Sequence, residues 1–259
     1  MALVYMSVLS VAAAVAAAPV PINVAENVTG GAASAEKILA ASNSSQMLAA
    51  QFRALVADGR LKEIRIVAPE QAINRQGREL QGWYDSGIIY LTTDIIAKFS
   101  TVESGRSDTL DYSTNNPNDL VFLLGFLAER AQNAASNTAE IAKIQQRMKD
   151  EASKLRPDQP FNVTPMVNEL LAIQLGYAAR AYINGWGVMR EAAETKNGKK
   201  LDMKSFAGLM MKSRTLPLLH LAINKPNFSL GSDGRIRPIA ANVGAVSLAL
   251  QETPMPEFD

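Results

Sequence analysis

A chain of 259 residues with 47% hydrophobic and 20% charged side chains is long enough to bury one sizeable core. Its 26 Lys and Arg nearly cancel its 25 Asp and Glu, which removes any overall field drawing it to nucleic acid or acidic lipid. With no cysteine and a single histidine, disulfides, thiolate metal sites and cysteine nucleophiles are excluded, and any imidazole chemistry rests on His220 alone.

The run Ala2 to Ala18 is uncharged and mostly Ala, Val and Leu. It reads as a signal peptide over residues 1–18, with Ala16-Ala17-Ala18 as small residues for cleavage, although the usual positive leading charge is missing. A misplaced start, a membrane anchor or a buried helix are the alternatives. The expected location is periplasmic or secreted. No other segment is long and apolar enough for a stable membrane span. Residues 19–33 read as a linker, with Gly, Ala and Ser gathered around Thr29 to Ser34.

From residue 34 to 195 the pattern predicts one domain. Ile38, Leu39, Met47, Leu48, Phe52, Leu55 and Val56 fall at helical spacing, and Gly59 supplies a stop. Lys62 to Ala68 alternates around Ile64 and Ile66. Trp83, Tyr84, Ile88, Ile89 and Tyr90 flank a Ser86-Gly87 turn, which predicts a hairpin in a small, mostly antiparallel sheet. Thr93 or Asp94 caps a short helix through Phe99, and a polar loop runs from Glu103 to Asn116. Asn116-Pro117 then opens a long helix, apolar from Leu120 to Ala135. Thr138 to Leu155 reads as a solvated polar helix ended by Pro157 and Pro160.

Thr164-Pro165 repeats the start signal, and the helix through Leu170, Leu175 and Ile183 is expected to stop at Asn184-Gly185. Short helices follow near Val188 to Glu194 and Met203 to Ser213. Residues 196–259 form a helical and irregular extension packed on the same domain, with a last strand or helix near Val243 to Leu250. The fold class is α+β: helix-rich, with the small sheet packed against long helices.

The hairpin Gly82-Trp83-Tyr84-Asp85-Ser86-Gly87-Ile88-Ile89-Tyr90-Leu91, then a long apolar helix and a later Glu-bearing helix, resembles the core of the zincin metallopeptidases. In particular it resembles a bacterial family of putative metallopeptidases of unknown function, in which such a hairpin precedes a helix bearing HExxH and a later acidic, Ala-rich helix. The resemblance spans Ala35 to Gly187. HExxH works because residues four apart share a helical face, so both imidazoles reach one zinc and the glutamate activates its water. In the register that best fits the apolar pattern, Leu124 to Gln132, Gly125 and Glu129 stand at the histidine positions and Phe126 at the general base. Glu169, in Asn168-Glu169-Leu170-Leu171-Ala172, matches the segment that supplies a third ligand.

The resemblance therefore implies a catalytically degenerate relative, a pseudopeptidase that binds a peptide or protein. Its peptide-binding strand would be Ile88, Ile89, Tyr90, Leu91 and Thr92, an edge that aligns extended substrate in zincins. No cofactor is expected. One alternative is an active metal-dependent peptidase with carboxylate ligands, in which Glu129 and Glu169 face one another and hold zinc or another divalent cation. A third reading is a structural or interaction protein of the cell envelope or a virus particle.

Each residue also has a plainer role: Glu129 as the polar edge of a buried helix, Glu169 as a first-turn carboxylate, Phe126 as core filler, Trp83 and Tyr84 as sheet packing, His220 as a satisfied histidine. Gly231-Ser232-Asp233-Gly234 lacks the strand-to-helix context of a phosphate loop. Lys196 to Lys200 is too short a basic run to suggest nucleic acid.

Overall fold

The computed structural model describes residues 24–26, 31–72, 80–98, 118–155, 160–211, 213 and 215–253. The expected signal peptide 1–18, the polar loop from Glu103 to Asn116 and the Asn116-Pro117 start signal lie outside them. Among the described residues no helix is long and apolar enough to cross a membrane.

Among the described residues, four strands form one mixed sheet: β1 (Val24–Glu26), β2 (Glu63–Val67), β3 (Gly82–Asp85) and β4 (Ile88–Thr92), in the order β1-β2-β4-β3. The β3–β4 hairpin is antiparallel, closed by Ser86 at φ 50° and Gly87 at φ 91°. Positive φ at both central residues is the two-residue turn that matches strand twist, and Gly87 meets it without a Cβ penalty. The other two pairings, β1 with β2 and β2 with β4, are parallel, which corrects the mostly antiparallel sheet expected from sequence. The reason is connectivity. Helices α1 (Gly31–Asn43) and α2 (Gln46–Ala57) form a crossover from β1 to β2, which only a parallel pair requires. The chain then passes to the sheet's edge as β3 before β4 enters beside β2. Part of the expected linker, Val24–Glu26, is thus a strand.

The buried faces of β2 and β4, carrying Ile64, Ile66, Ile89 and Leu91, pack into the same core as Leu48, Phe52 and Leu55 of α2. The opposite face carries Arg65, Tyr90 and Trp83: the two rings stack at 4.5 Å and the Arg65 guanidinium lies 5.6 Å over Tyr90. Helix α3 (Thr93–Lys98) follows β4 directly.

Two long helices organise the rest: α4 (Asp119–Ser153) and α5 (Thr164–Asn197). Each is continuous where the sequence suggested a break. Every residue of α4 from Leu120 to Ala128 is buried, as expected of a helix that is apolar all round. Past Ala131 on α4 and before Ala179 on α5, the two helices continue as an arm, about 33 Å of α4 beside about 22 Å of α5, whose side chains are exposed or half-buried except Ile144. Asn184-Gly185 does not end α5, because Gly185 is needed for close packing. A Cβ there would lie 2.7 Å from the Phe122 ring and 2.9 Å from the Phe122 carbonyl oxygen.

Helices α6 (Met203–Leu209), α7 (Leu216–Ile223) and α8 (Ala240–Glu252) follow, and Phe206, Leu218, Leu219, Val246 and Ala249 join the same hydrophobic cluster. The expected terminal helix near Val243 to Leu250 is α8. Helix α7 occupies a stretch read as irregular, and its Pro217 sits in the first turn, where no helical amide is lost.

Candidate functional site

Where α4 leaves the core, a cleft of about 240 Å³ is lined by Met47, by Glu129 of α4, by Arg180, Asn184 and Gly187 of α5, and by the segment 233–238. A second cleft of about 450 Å³ adjoins it along the arm, lined by Asn133, Glu140, Ile173, Tyr177 and Val243. Arg180 belongs to both, so the two form one groove beside the α4–α5 seam.

The inner end of the groove is held by amides. Asn184 Nδ2 donates to the Gly125 carbonyl at 2.7 Å and to Gln51 Oε1 at 3.1 Å, while Gln51 Nε2 donates back to Asn184 Oδ1 at 2.9 Å. Helices α2, α4 and α5 are thereby locked at one point. Glu191 of α5 reinforces this: its carboxylate accepts the Met47 amide at 2.8 Å and the Ser45 hydroxyl, while Ser45 Oγ accepts the Leu48 amide. A carboxylate at the start of α2 meets its unpaired amides and dipole.

The wall opposite is the 233–238 segment, fixed by a buried ion network. Arg190 donates to Glu194 at 3.0 Å and to the Gly234 and Leu201 carbonyls, and Arg235 reaches the other Glu194 oxygen at 2.7 Å. Burial opposes ionisation of Glu194, yet the Leu201 amide, Arg235 and Arg190 together outweigh it and hold the carboxyl below its ordinary value. Asp233 is likewise lowered by the Arg235 amide and, despite some burial, by Arg237. Arg235 and Arg237 are therefore committed to carboxylates.

Glu129 differs. Burial raises its carboxyl above the ordinary value, opposed by a 2.9 Å hydrogen bond from Asn133 Nδ2 and by the charge of Arg180. The groove thus sets a half-buried acid beside a cation.

The structure separates the other sequence-predicted residues. Gly125 faces α5, where an added Cβ would lie 3.0 Å from Val188 and 3.2 Å from the Gly185 Cα, so this glycine serves helix approach and leaves no room for a ligand side chain. Phe126 is fully buried, its ring 5.1 Å from Tyr182 and edge-on to it. Glu169 pairs with Arg147 on the exposed arm. Since Arg147 lies 18 residues beyond Glu129 on the same helix, about 27 Å separate the two levels, and Glu129 and Glu169 do not face each other. Across from Glu129 stand Arg180 and Asn184, which sequence reasoning missed. Among the described residues no group of three or more His, Cys, Asp or Glu is placed to hold a metal ion.

The expected peptide-binding strand, Ile88 to Thr92, is also corrected. As β4 it is paired on both sides, with β2 and with β3, so its backbone groups are already used and an extended peptide cannot add there. Among the described residues the sheet's edges are β1 and β3. Trp83 and Tyr84 serve the sheet, Tyr84 through a 2.8 Å hydrogen bond to the Arg60 carbonyl. His220 lies exposed on α7, away from the groove, beside a cleft with Lys204 and Phe228.

Comparison with protein-family models, curated proteins and solved structures finds no match to this chain.

Proposed function

We propose that this chain is a non-catalytic, zincin-like binding protein: a pseudopeptidase that has kept a helix-flanked groove and uses it to hold a peptide or protein segment in an exported setting. The observation that carries the reading is the fate of the HExxH positions. Gly125 is spent on helix contact, Phe126 on the core, and Glu129 alone reaches the groove, opposite a cation rather than a second ligand. A hydrolase needs an activated water held by metal or base, whereas a groove that sets Glu129, Asp233 and Glu140 among Arg180, Arg235 and Arg237 beside Met47, Ile183 and Ile236 suits recognition of a polar side chain or peptide backbone.

The inner cleft is smaller than the roughly 300–1,000 Å³ of small-molecule pockets, which favours one anchoring side chain over an enclosed substrate. Arg180 has the central role because it borders both halves of the groove. The test is selection of binders from a displayed random-peptide library, followed by the Arg180→Glu variant. Binders lost on charge reversal, with no cleavage of the same peptides in zinc-containing buffer, support the reading. Peptide cleavage that depends on added metal would overturn it.

A further inference from the structure

The groove follows one face of α5, where Ile173, Gly176, Tyr177, Arg180, Asn184 and Gly187 recur at three- and four-residue spacing. From Ile173 to Gly187 this face runs about 21 Å, the span of about six residues of extended chain. Arg180 stands at its midpoint, seven residues from either end. Hydrogen-bonding capacity along the groove is unevenly used. Both Nδ2 hydrogens of Asn184 are donated, to Gly125 and Gln51, and Asn133 Nδ2 donates to the Glu129 carbonyl at 3.0 Å and to its carboxylate at 2.9 Å. Arg235 is held by Glu194 and Arg237 by Asp233. The acceptors are engaged as well: Asp233 Oδ1 takes the Arg235 amide at 3.1 Å, and Glu140 takes the Tyr177 hydroxyl. Arg180 is the exception. Among the described residues it forms no hydrogen bond or salt bridge, and only its charge acts on Glu129 and Tyr177. A guanidinium is a planar fork of N–H donors with no acceptor of its own, so what the groove lacks at its midpoint is an acceptor.

Building on the peptide-binding reading above, we propose that the occupant is an extended segment with an internal glutamate or aspartate, whose carboxylate accepts a two-point hydrogen bond from Arg180 while its apolar neighbours lie against Ile173 in the outer half and Ile236 in the inner half. The position of Arg180 selects an internal side chain over a C-terminal carboxylate, because a chain ending at the midpoint would leave half of the groove empty. Charge selects a carboxylate over a phosphate. One guanidinium, with Glu129 in one half and Glu140 in the other, matches a single negative charge, whereas a phosphate carries nearly two and is met by clusters of arginines. Arg180 is exposed, so water competes for it and the carboxylate should strengthen binding by about three- to tenfold.

The full chain, immobilised, is equilibrated with pools of acetylated heptapeptides that are randomised without acidic residues on both sides of a fixed central position, and retained peptide is quantified by mass spectrometry. One pool has central Glu and an amidated end, the second central Gln and an amidated end, and the third central Gln and a free C-terminal carboxylate. The Glu pool should be retained about three- to tenfold over the Gln pool. That preference should vanish in Arg180→Gln, with circular dichroism and retention of the amidated Gln pool unchanged, and persist in Lys204→Gln, which removes an exposed positive charge away from the groove. Equal retention of the Glu and Gln pools would overturn the proposal while leaving a peptide groove in place. A Glu preference that survives Arg180→Gln, or a free C-terminal carboxylate retained better than the internal Glu, would also overturn it. Retention of none of the pools would remove the peptide-binding reading together with the proposal.

Discussion

Asn184 on α5 donates from Nδ2 to the carbonyl of Gly125 on α4 at 2.7 Å, joining the two long helices where Gly125 packs against Gly185. A carbonyl inside a helix already accepts from the next turn, so a second donor is reachable only because Gly125 and Gly185 leave the backbones uncovered.

Gly185→Ala places a methyl 2.7 Å from the Phe122 ring, and the overpacking should cost about 1–3 kcal/mol even though alanine favours helix. Gly176→Ala, on the same helix with nothing within 4 Å of its added Cβ, should instead stabilise by about 0.5–1 kcal/mol. Urea unfolding of both variants checks the contrast. Equal effects would mean that the helices are not in close contact at Gly185.

Placing histidine at positions 125 and 129 should not create a metal site. Gly125→His combined with Glu129→His should lower stability by about 1–3 kcal/mol from steric conflict with Val188 and Gly185, without zinc-induced stabilisation in a thermal scan. A midpoint raised by zinc would show that position 125 opens to the groove.

Phe126→Ala should cost about 3–5 kcal/mol, because the ring is fully buried against Phe122 and Tyr182. A loss below about 1 kcal/mol in urea unfolding would place the ring at a solvated cleft instead.

Two carboxyls give pH signatures of opposite sign. Glu129 has a raised value in the folded state, so its folded form holds the proton more tightly. Stability from this group is fully present below the ordinary carboxylate value and is lost as pH rises through the folded one. Glu129→Gln should therefore stabilise at neutral pH and lose that advantage in acid. Glu194 has a lowered value, so its contribution is present above the ordinary value and disappears as pH falls through the folded one. Glu194→Gln should destabilise at neutral pH by about 3 kcal/mol, the low end for breaking a buried ion pair because Arg235 reaches solvent. Unfolding free energies measured from acid to neutral pH separate the two.

What sequence revealed was local. The Ser86-Gly87 hairpin, the alternation at Ile64 and Ile66 and the apolar run from Leu120 all depend on neighbours, and they lie where expected. The parallel pairing of β2 with β4 depends on a strand inserted from the sheet's far edge, and no short window encodes that. Asn184-Gly185 carried a stop signal that tertiary contact with Phe122 overrides. The candidate site failed in register: two helices of 35 and 34 residues can align their repeating apolar positions at several turns, so the pattern did not reveal that Glu129 meets Arg180 rather than Glu169. Arg180 had no motif to announce it.

The metal content of the purified full chain tests whether the α4–α5 crossing, with Gly125 and Phe126 packed away, holds a metal ion between its helices. It is measured by elemental analysis after equilibration with zinc, calcium or manganese and then dialysis, alongside a Glu129→Ala, Glu169→Ala double variant. A crossing without a metal site retains no near-stoichiometric metal and gives no difference between the two proteins. About one equivalent of metal held by the unmodified chain and lost from the variant would contradict it.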